Sequence, residues 1–196
     1  MKCDILVCGV GGQGVLSLAG ILSRAALYEA LYAKQSEVHG MSQRGGAVVA
    51  HVRIGDSEVA SDLIPRGTAS FVLGLEALES LRWVPYLSER GRVLSSVHML
   101  KNIGDYPDGD RLLEKLGSYE GTVLVNSLEL AHQAGNHHAE NAVMAGVASV
   151  FLPMSEASFD RALAHRFGTK GEMVLASVNK AFRLGRGKAL EKVSSL

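Results

Sequence analysis

A chain of 196 residues with 47% hydrophobic and 20% charged residues suits one globular domain that buries a core without disulfides or metals, which excludes disordered and fibrous classes. With a formal net charge of +0 and a pI near 7.1, no global field draws it to nucleic acid or anionic lipid, and weak self-repulsion suits a protein that lives in a complex. No apolar run reaches the ~20 residues of a membrane helix, and the start, Met1-Lys2-Cys3-Asp4, lacks the long apolar core of a leader peptide. The expectation is a cytoplasmic chain with no nucleic-acid or membrane partner.

In chain order, Asp4-Ile5-Leu6-Val7-Cys8 reads as a strand buried on both faces, and Gly9-Val10-Gly11-Gly12-Gln13-Gly14 follows as a turn. Residues 15–31 are rich in Leu and Ala and predict a mostly buried helix, so the chain opens as a parallel α/β sheet does. Residues 31–37 predict a weak second strand, 38–46 a polar, glycine-rich loop, and 47–54 a strand whose second half alternates. Gly55-Asp56 gives a turn with a short strand at 58–60, a hairpin in place of a crossover helix. Further strands are expected at 70–75, 92–97 and 122–126, with a helix over 76–87 ended by Gly91. Helices then cover 128–134, 141–151, 155–167 and 169–183. The division is one domain over 1–184 and a solvated tail over 185–196. The fold class is α/β: a Rossmann-like three-layer sandwich with a mostly parallel sheet and a β-hairpin insertion.

Two cysteines, Cys3 and Cys8, lie on one strand with side chains on opposite faces. They cannot bridge each other there, and they fall short of the about four thiolates of an iron–sulfur cluster. Buried, inert thiols are the plainer reading.

Gly9, Gly11 and Gly14 fit G-x-G-x-x-G between a strand and a helix, where glycines permit a tight turn and close ligand approach and the helix N-terminus favours an anion. A nicotinamide enzyme also needs an acidic residue about 20 residues on; Glu37 is the nearby candidate, at the edge of the next loop. Tight turn and dinucleotide site both stay open on the motif alone. The second informative segment, Ser36-Glu37-Val38-His39-Gly40-Met41-Ser42-Gln43-Arg44-Gly45-Gly46, sets polar side chains among glycines that let the backbone approach another surface. Arg44 offers a planar fork for carboxylate or phosphate, and His39 a hydrogen-bond donor.

These two segments, followed by His51-Val52-Arg53, resemble the gamma-type domain of 2-oxoacid:ferredoxin oxidoreductases, and within that family the beta (small) subunits of the indolepyruvate branch. Leu63-Ile64-Pro65, Leu75-Glu76-Ala77-Leu78-Glu79, Tyr106-Pro107, Asn141-Ala142-Val143-Met144-Ala145-Gly146 and Asn179-Lys180-Ala181-Phe182 continue the likeness along nearly the whole chain. The two glycine-rich segments are specific, and the later matches support them.

The resemblance implies a subunit of a complex that decarboxylates a 2-oxoacid, passes electrons to ferredoxin and releases an acyl-coenzyme A. It also implies that thiamine diphosphate, magnesium and iron–sulfur clusters sit on a large partner subunit, that this chain alone binds none of them and is inactive in isolation, and that coenzyme A is a co-substrate. Gly11, Gly12, Gln13, Gly14, Glu37, His39, Ser42, Arg44, Gly45 and Gly46 are then expected to close the partner's active site or to contact substrate or coenzyme A phosphates; no residue of this chain is expected to be catalytic. Asp108-Gly109-Asp110 reads as a turn and not as part of a diphosphate-binding pattern. His137-His138-Ala139-Glu140 reads as the polar opening of a helix rather than a metal site, and Ser42, His39 and Asp62 lack the spacing of a triad. A stand-alone NAD-binding oxidoreductase and a non-catalytic nucleotide- or coenzyme A-binding module remain the alternatives.

Overall fold

The computed structural model describes residues 2–39, 46–101 and 103–194. Its centre is strand β1 (Lys2–Val10), every residue of which after Lys2 is buried. The glycine turn follows, and then helix α1 (Val15–Tyr28). Strands β2 (Tyr32–His39) and β3 (Ala47–Gly55) form an antiparallel pair, and β3 also pairs antiparallel with β1. Strands β4 (Ala69–Gly74), β5 (Leu87–Ser96) and β6 (Val123–Val125) add parallel steps on the other side of β1. The six-stranded order is β2-β3-β1-β4-β5-β6, with β3 alone running against the rest.

Side chains alternate between two packed layers, as strand geometry requires. Cys3, Ile5 and Val7 join the larger core under α1, whereas Leu6 and Cys8 face the opposite side with Val49, Ile64 and Val72. The larger core is completed by α4 (Ser127–Gln133), α5 (Glu140–Ser149), α6 (Glu156–Phe167) and α7 (Glu172–Val193). Helices α2 (Ala77–Trp83) and α3 (Gly109–Gly117) cover the other face beside β4 and β5. This is the expected three-layer α/β sandwich. Phe159 and Phe182 are fully buried against one another, ring centroids 5.3 Å apart; burial of each ring contributes about 1.5–3 kcal/mol. No helix among the described residues is long and apolar enough to cross a membrane.

The hairpin is displaced from its expected place. Residues 58–60 form no strand, because β3 already has a partner on each side and offers no free edge. Instead the buried Arg53 guanidinium reaches out of β3, donating to the carbonyls of Ser61 at 2.9 Å and Leu63 at 3.0 Å, while His51 Nδ1 accepts the Ile64 N–H at 3.0 Å. Thus two of the matched segments, His51-Val52-Arg53 and Leu63-Ile64-Pro65, are tied to each other.

Other boundaries also move. Helix α2 stops at Trp83, where a 3₁₀ turn carrying Pro85 intervenes, since proline cannot supply the next helical donor. Strand β5 then begins at Leu87 and passes through Gly91. A Cβ there would lie 2.6 Å from the Ala69 carbonyl, at a shift in the β4–β5 register, so this glycine marks an irregularity rather than a helix stop. Asp108 is not in a simple turn: its Oδ1 accepts the Arg111 N–H at 3.1 Å and caps α3. Val38 and His39 belong to β2 and not to the following loop. Finally, α7 continues past Arg183 to Val193 and buries Gly185 and Ala189, where a solvated tail is expected. Gly185 and Gly146 explain it: a Cβ on either would lie 2.0 Å from a carbonyl of the other helix. These glycines let α5 and α7 cross at backbone contact.

Candidate functional site

The carboxyl end of β1 collects the two glycine-rich segments. Val10 pairs with Ala47 and His39 with Val48, so the connection from β2 to β3 leaves and re-enters the sheet beside the glycine turn. The Gly11 N–H donates to the Gly46 carbonyl at 2.8 Å and joins the two directly. Ser42, Arg44 and Gly45 lie outside the described residues, and His39 is described through its backbone alone.

The Gln13 side chain is held within the fold. Its Oε1 accepts the Val10 N–H at 2.8 Å, and its Nε2 donates to the Leu75 carbonyl at 3.1 Å. The side chain therefore bridges the ends of β1 and β4, a crevice where sheets of this kind place a ligand. Gly9 makes room for it, since a Cβ there would sit 2.9 Å from Gln13 Oε1.

Two glycines of the turn have left-handed backbones, Gly12 at φ +105 and Gly14 at φ +88. No atom of the described residues lies within 4 Å of a Cβ placed on Gly12, whereas one on Gly14 would meet Asn141 Nδ2 at 3.0 Å. Gly12 is thus exposed backbone among the described residues. Gly14 is the N-cap of α1, with no side-chain cap and no acidic residue in the first turn. The first helical bond runs from the Leu18 N–H to the Gly14 carbonyl. The N–H groups of Val15, Leu16 and Ser17 precede it, at the positive end of the helix.

A depression of about 460 Å³ lies over this N-terminus, lined by Gly11, Gly12, Gly14, Leu16, Ser17 and Arg166 among others. Arg166 crosses from α6 and donates through Nε to Ser17 Oγ at 3.1 Å. A second hollow of about 530 Å³ shares Leu16 and Arg166 and adds Arg24, His165 and Glu37. Glu37 lies at this flank, exposed, its Oε1 accepting from Gln35 Nε2 at 3.0 Å. The structure thus brings Gly11, Gly12, Gln13, Gly14 and Gly46 together and leaves Glu37 beside them. Arg24, Asn141, His165 and Arg166 are additions that no local motif announces. Asn141 alone stood within a matched segment.

The remaining strand ends carry a separate polar set. Buried Glu76 accepts the Glu79 N–H at 2.7 Å, the Leu100 N–H at 3.2 Å and the Tyr106 hydroxyl, which fixes the segment after β5. Glu140 accepts from Ser127 Oγ at 2.7 Å and meets His98 Nδ1 at 3.0 Å; the hydrogen bond to Glu140 raises the His98 pKa above its usual range. Among the described residues no group of three or more His, Cys, Asp or Glu side chains could hold a metal ion. Burial pushes the Cys3 thiol up to about 12 and Cys8 well above its ordinary value. Two such thiols on opposite faces of one sheet do not fit an iron–sulfur cluster.

Residues 4–187 match the family described as pyruvate ferredoxin/flavodoxin oxidoreductase. The chain is 34% identical over 197 residues to the indolepyruvate oxidoreductase subunit IorB of Archaeoglobus fulgidus, covering 97% of this chain and 96% of that protein. It superimposes on the gamma subunit of a keto/oxoacid ferredoxin oxidoreductase from Geobacter sulfurreducens with a TM-score of 0.69 and 25% identity, over 96% of this chain and 99% of that one. The 2-oxoglutarate:ferredoxin oxidoreductase of Magnetococcus marinus, solved with 2-oxoglutarate, coenzyme A and succinyl-CoA bound, shares the fold at a TM-score of 0.76 and 21% identity; 97% of this chain matches 31% of that longer one.

Proposed function

The chain belongs to the pyruvate ferredoxin/flavodoxin oxidoreductase family, as a small subunit of a 2-oxoacid:ferredoxin oxidoreductase, and on that premise we propose that it completes the active site of a large partner subunit. The complex oxidatively decarboxylates aryl pyruvates such as indolepyruvate to acyl-coenzyme A and reduces ferredoxin. Thiamine diphosphate, magnesium and iron–sulfur clusters belong to the partner, and the buried thiols of Cys3 and Cys8 take no part in the reaction. Taken alone, this chain is inactive.

The observation that carries this reading is the joining of two glycine-rich segments at one sheet edge through the Gly11 N–H and the Gly46 carbonyl. The glycine turn presents exposed backbone at Gly12 and an uncapped helix N-terminus, which favour close approach of an anionic group. Substrate carboxylate and coenzyme A phosphates both have that chemistry. The Gln13 bridge weighs against a stand-alone nicotinamide enzyme, because its amide spans the crevice between β1 and β4 that a dinucleotide would enter.

The test is co-expression with a thiamine-binding partner and an assay of viologen or ferredoxin reduction with indolepyruvate, phenylpyruvate and simpler oxoacids. Association and aryl-pyruvate-dependent reduction are expected. Failure to associate, with no reduction, removes the reading. In the assembled complex Arg44→Ala is expected to lower turnover by about tenfold, the weight of a lost charged hydrogen bond, with assembly preserved; unchanged kinetics would remove the loop from the site.

A further inference from the structure

Strand β2 is the outermost strand of the sheet, with β3 on one side and no described strand on the other. Its 8 residues therefore offer a row of backbone N–H and C=O groups to a further strand, an edge that proteins ordinarily cover. Alternation turns Ala33, Gln35 and Glu37 to the α1 side. Ala33 packs on the larger core, Gln35 Oε1 accepts from Ser23 Oγ at 3.2 Å, and Glu37 borders the hollow between α1 and α6.

That hollow favours negative charge. Leu16, Gly20 and Arg24 follow one another at helical spacing along α1, opposite Ala162, His165 and Arg166 of α6. Arg24 is exposed and has no hydrogen-bond or ion-pair partner among the described residues. Arg166 engages Ser17 Oγ through its Nε alone. Against these two guanidiniums the lining holds one carboxylate, Glu37, which already accepts from Gln35 Nε2. With a formal net charge of +0 for the whole chain, the excess of positive charge is local.

We propose that an extended, acidic segment of the large partner subunit adds to the sheet as a strand beside β2 and turns an Asp or Glu side chain into the hollow at Arg24. The inference rests on the proposed function for the existence of that partner. The two features fit one occupant, because a strand laid along β2 alternates as β2 does. Every second side chain of it stands on the α1 side, where the guanidinium of Arg24 is unpaired. Main-chain bonds then supply affinity, and the hollow selects the acidic side chain. The hollow also shares Leu16 and Arg166 with the depression over the glycine turn, so the contact continues the surface proposed to meet the partner.

The experiment compares hydrogen exchange of the full chain, free and assembled with its large subunit, and measures the Kd of that assembly at several salt concentrations. Amides of residues 32–37 that point away from β3 are expected to exchange about tenfold or more slowly in the complex than in the free chain. Arg24→Glu is expected to raise the Kd about tenfold at low salt and to flatten its salt dependence, whereas Arg24→Lys stays within about threefold of the unsubstituted chain. Equal melting temperatures of the free chains separate docking from folding. A Kd for Arg24→Glu within about twofold of the unsubstituted value overturns the proposal, and so does unchanged exchange at residues 32–37. Slowed exchange that appears in the free chain as its concentration rises assigns the edge to a second copy and overturns it as well. Failure of the unsubstituted chain to associate overturns the functional reading, and this inference with it.

Discussion

The two ends of β1 treat polar groups in opposite ways. Near the amino end, Asp4 is 2% exposed and accepts two bonds from Arg53, at 2.9 and 3.1 Å. The remaining arginine donors hold the segment after β3. At the carboxyl end the strand runs into the glycine turn, which among the described residues is tied to its neighbours through Gly11 and Gln13, and α1 begins there without a side-chain cap. Paired groups hold the amino end of the strand, whereas the carboxyl end offers the uncapped helix start at which the proposed anion would approach.

The comparison can be broken most forcefully at the clamp. Arg53→Met leaves Asp4 buried, with Lys2 as its remaining cation at 3.0 Å, and is expected to cost about 3–5 kcal/mol in urea unfolding, as removal of one partner of a buried pair does. Adding Asp4→Leu should recover more than half of that loss. A cost under about 1 kcal/mol for the single change would mean that the clamp does not hold this end.

Smaller effects belong to the turn. Gly14→Ala forces an L-residue to φ +88 and against Asn141 Nδ2, at a cost of about 1–2 kcal/mol. Gly12→Ala meets only the backbone penalty, at the low end of that range, because no atom of the described residues crowds it. Equal losses in unfolding midpoints would show that the Asn141 contact is immaterial to stability.

The smallest effect is a matter of sign. Burial depresses the His51 pKa below its ordinary 6.5, with Arg53 adding to the shift. The His51 contribution to stability is complete above pH 6.5 and is lost as pH falls through the folded pKa. His98, raised by Glu140, behaves oppositely: its contribution is complete below pH 6.5 and is lost as pH rises through the folded pKa. His51→Gln should therefore flatten the acid side of a Tm–pH profile, and His98→Gln the side above pH 6.5. Both substitutions flattening the same side would contradict the assignment.

Much of the fold is legible locally. The apolar runs of β1, β3, β4 and β6 and the Leu/Ala face of α1 follow from burial and periodicity. The hairpin was misplaced because strand pairing is nonlocal, and β3 took its partners from residues 2–10 and 32–39. Glycines misled in a related way. Gly91 and Gly185 read as stops, but their neighbours, the Ala69 and Val143 carbonyls, come from other elements and demand a missing side chain. In the site, the turn and Gly46 were visible as motifs. Gln13 was visible too, though its partner at Leu75, 62 residues away, was not. Arg166 lies 149 residues from Ser17, and no spacing rule foretells their hydrogen bond.

The reversal of β3 has one more consequence. A parallel strand in its place would have been fed by a crossover helix and would have sent only βα turns to the carboxyl end of β1. Because β3 runs backward between β2 and β1, that end also receives a hairpin connection, anchored by the His39–Val48 pairing on one side and Gly46 on the other. Such a connection can lengthen, shorten or change its charge without shifting any strand register. It is a place where the length and chemistry of the chain are free to differ while the sheet stays the same.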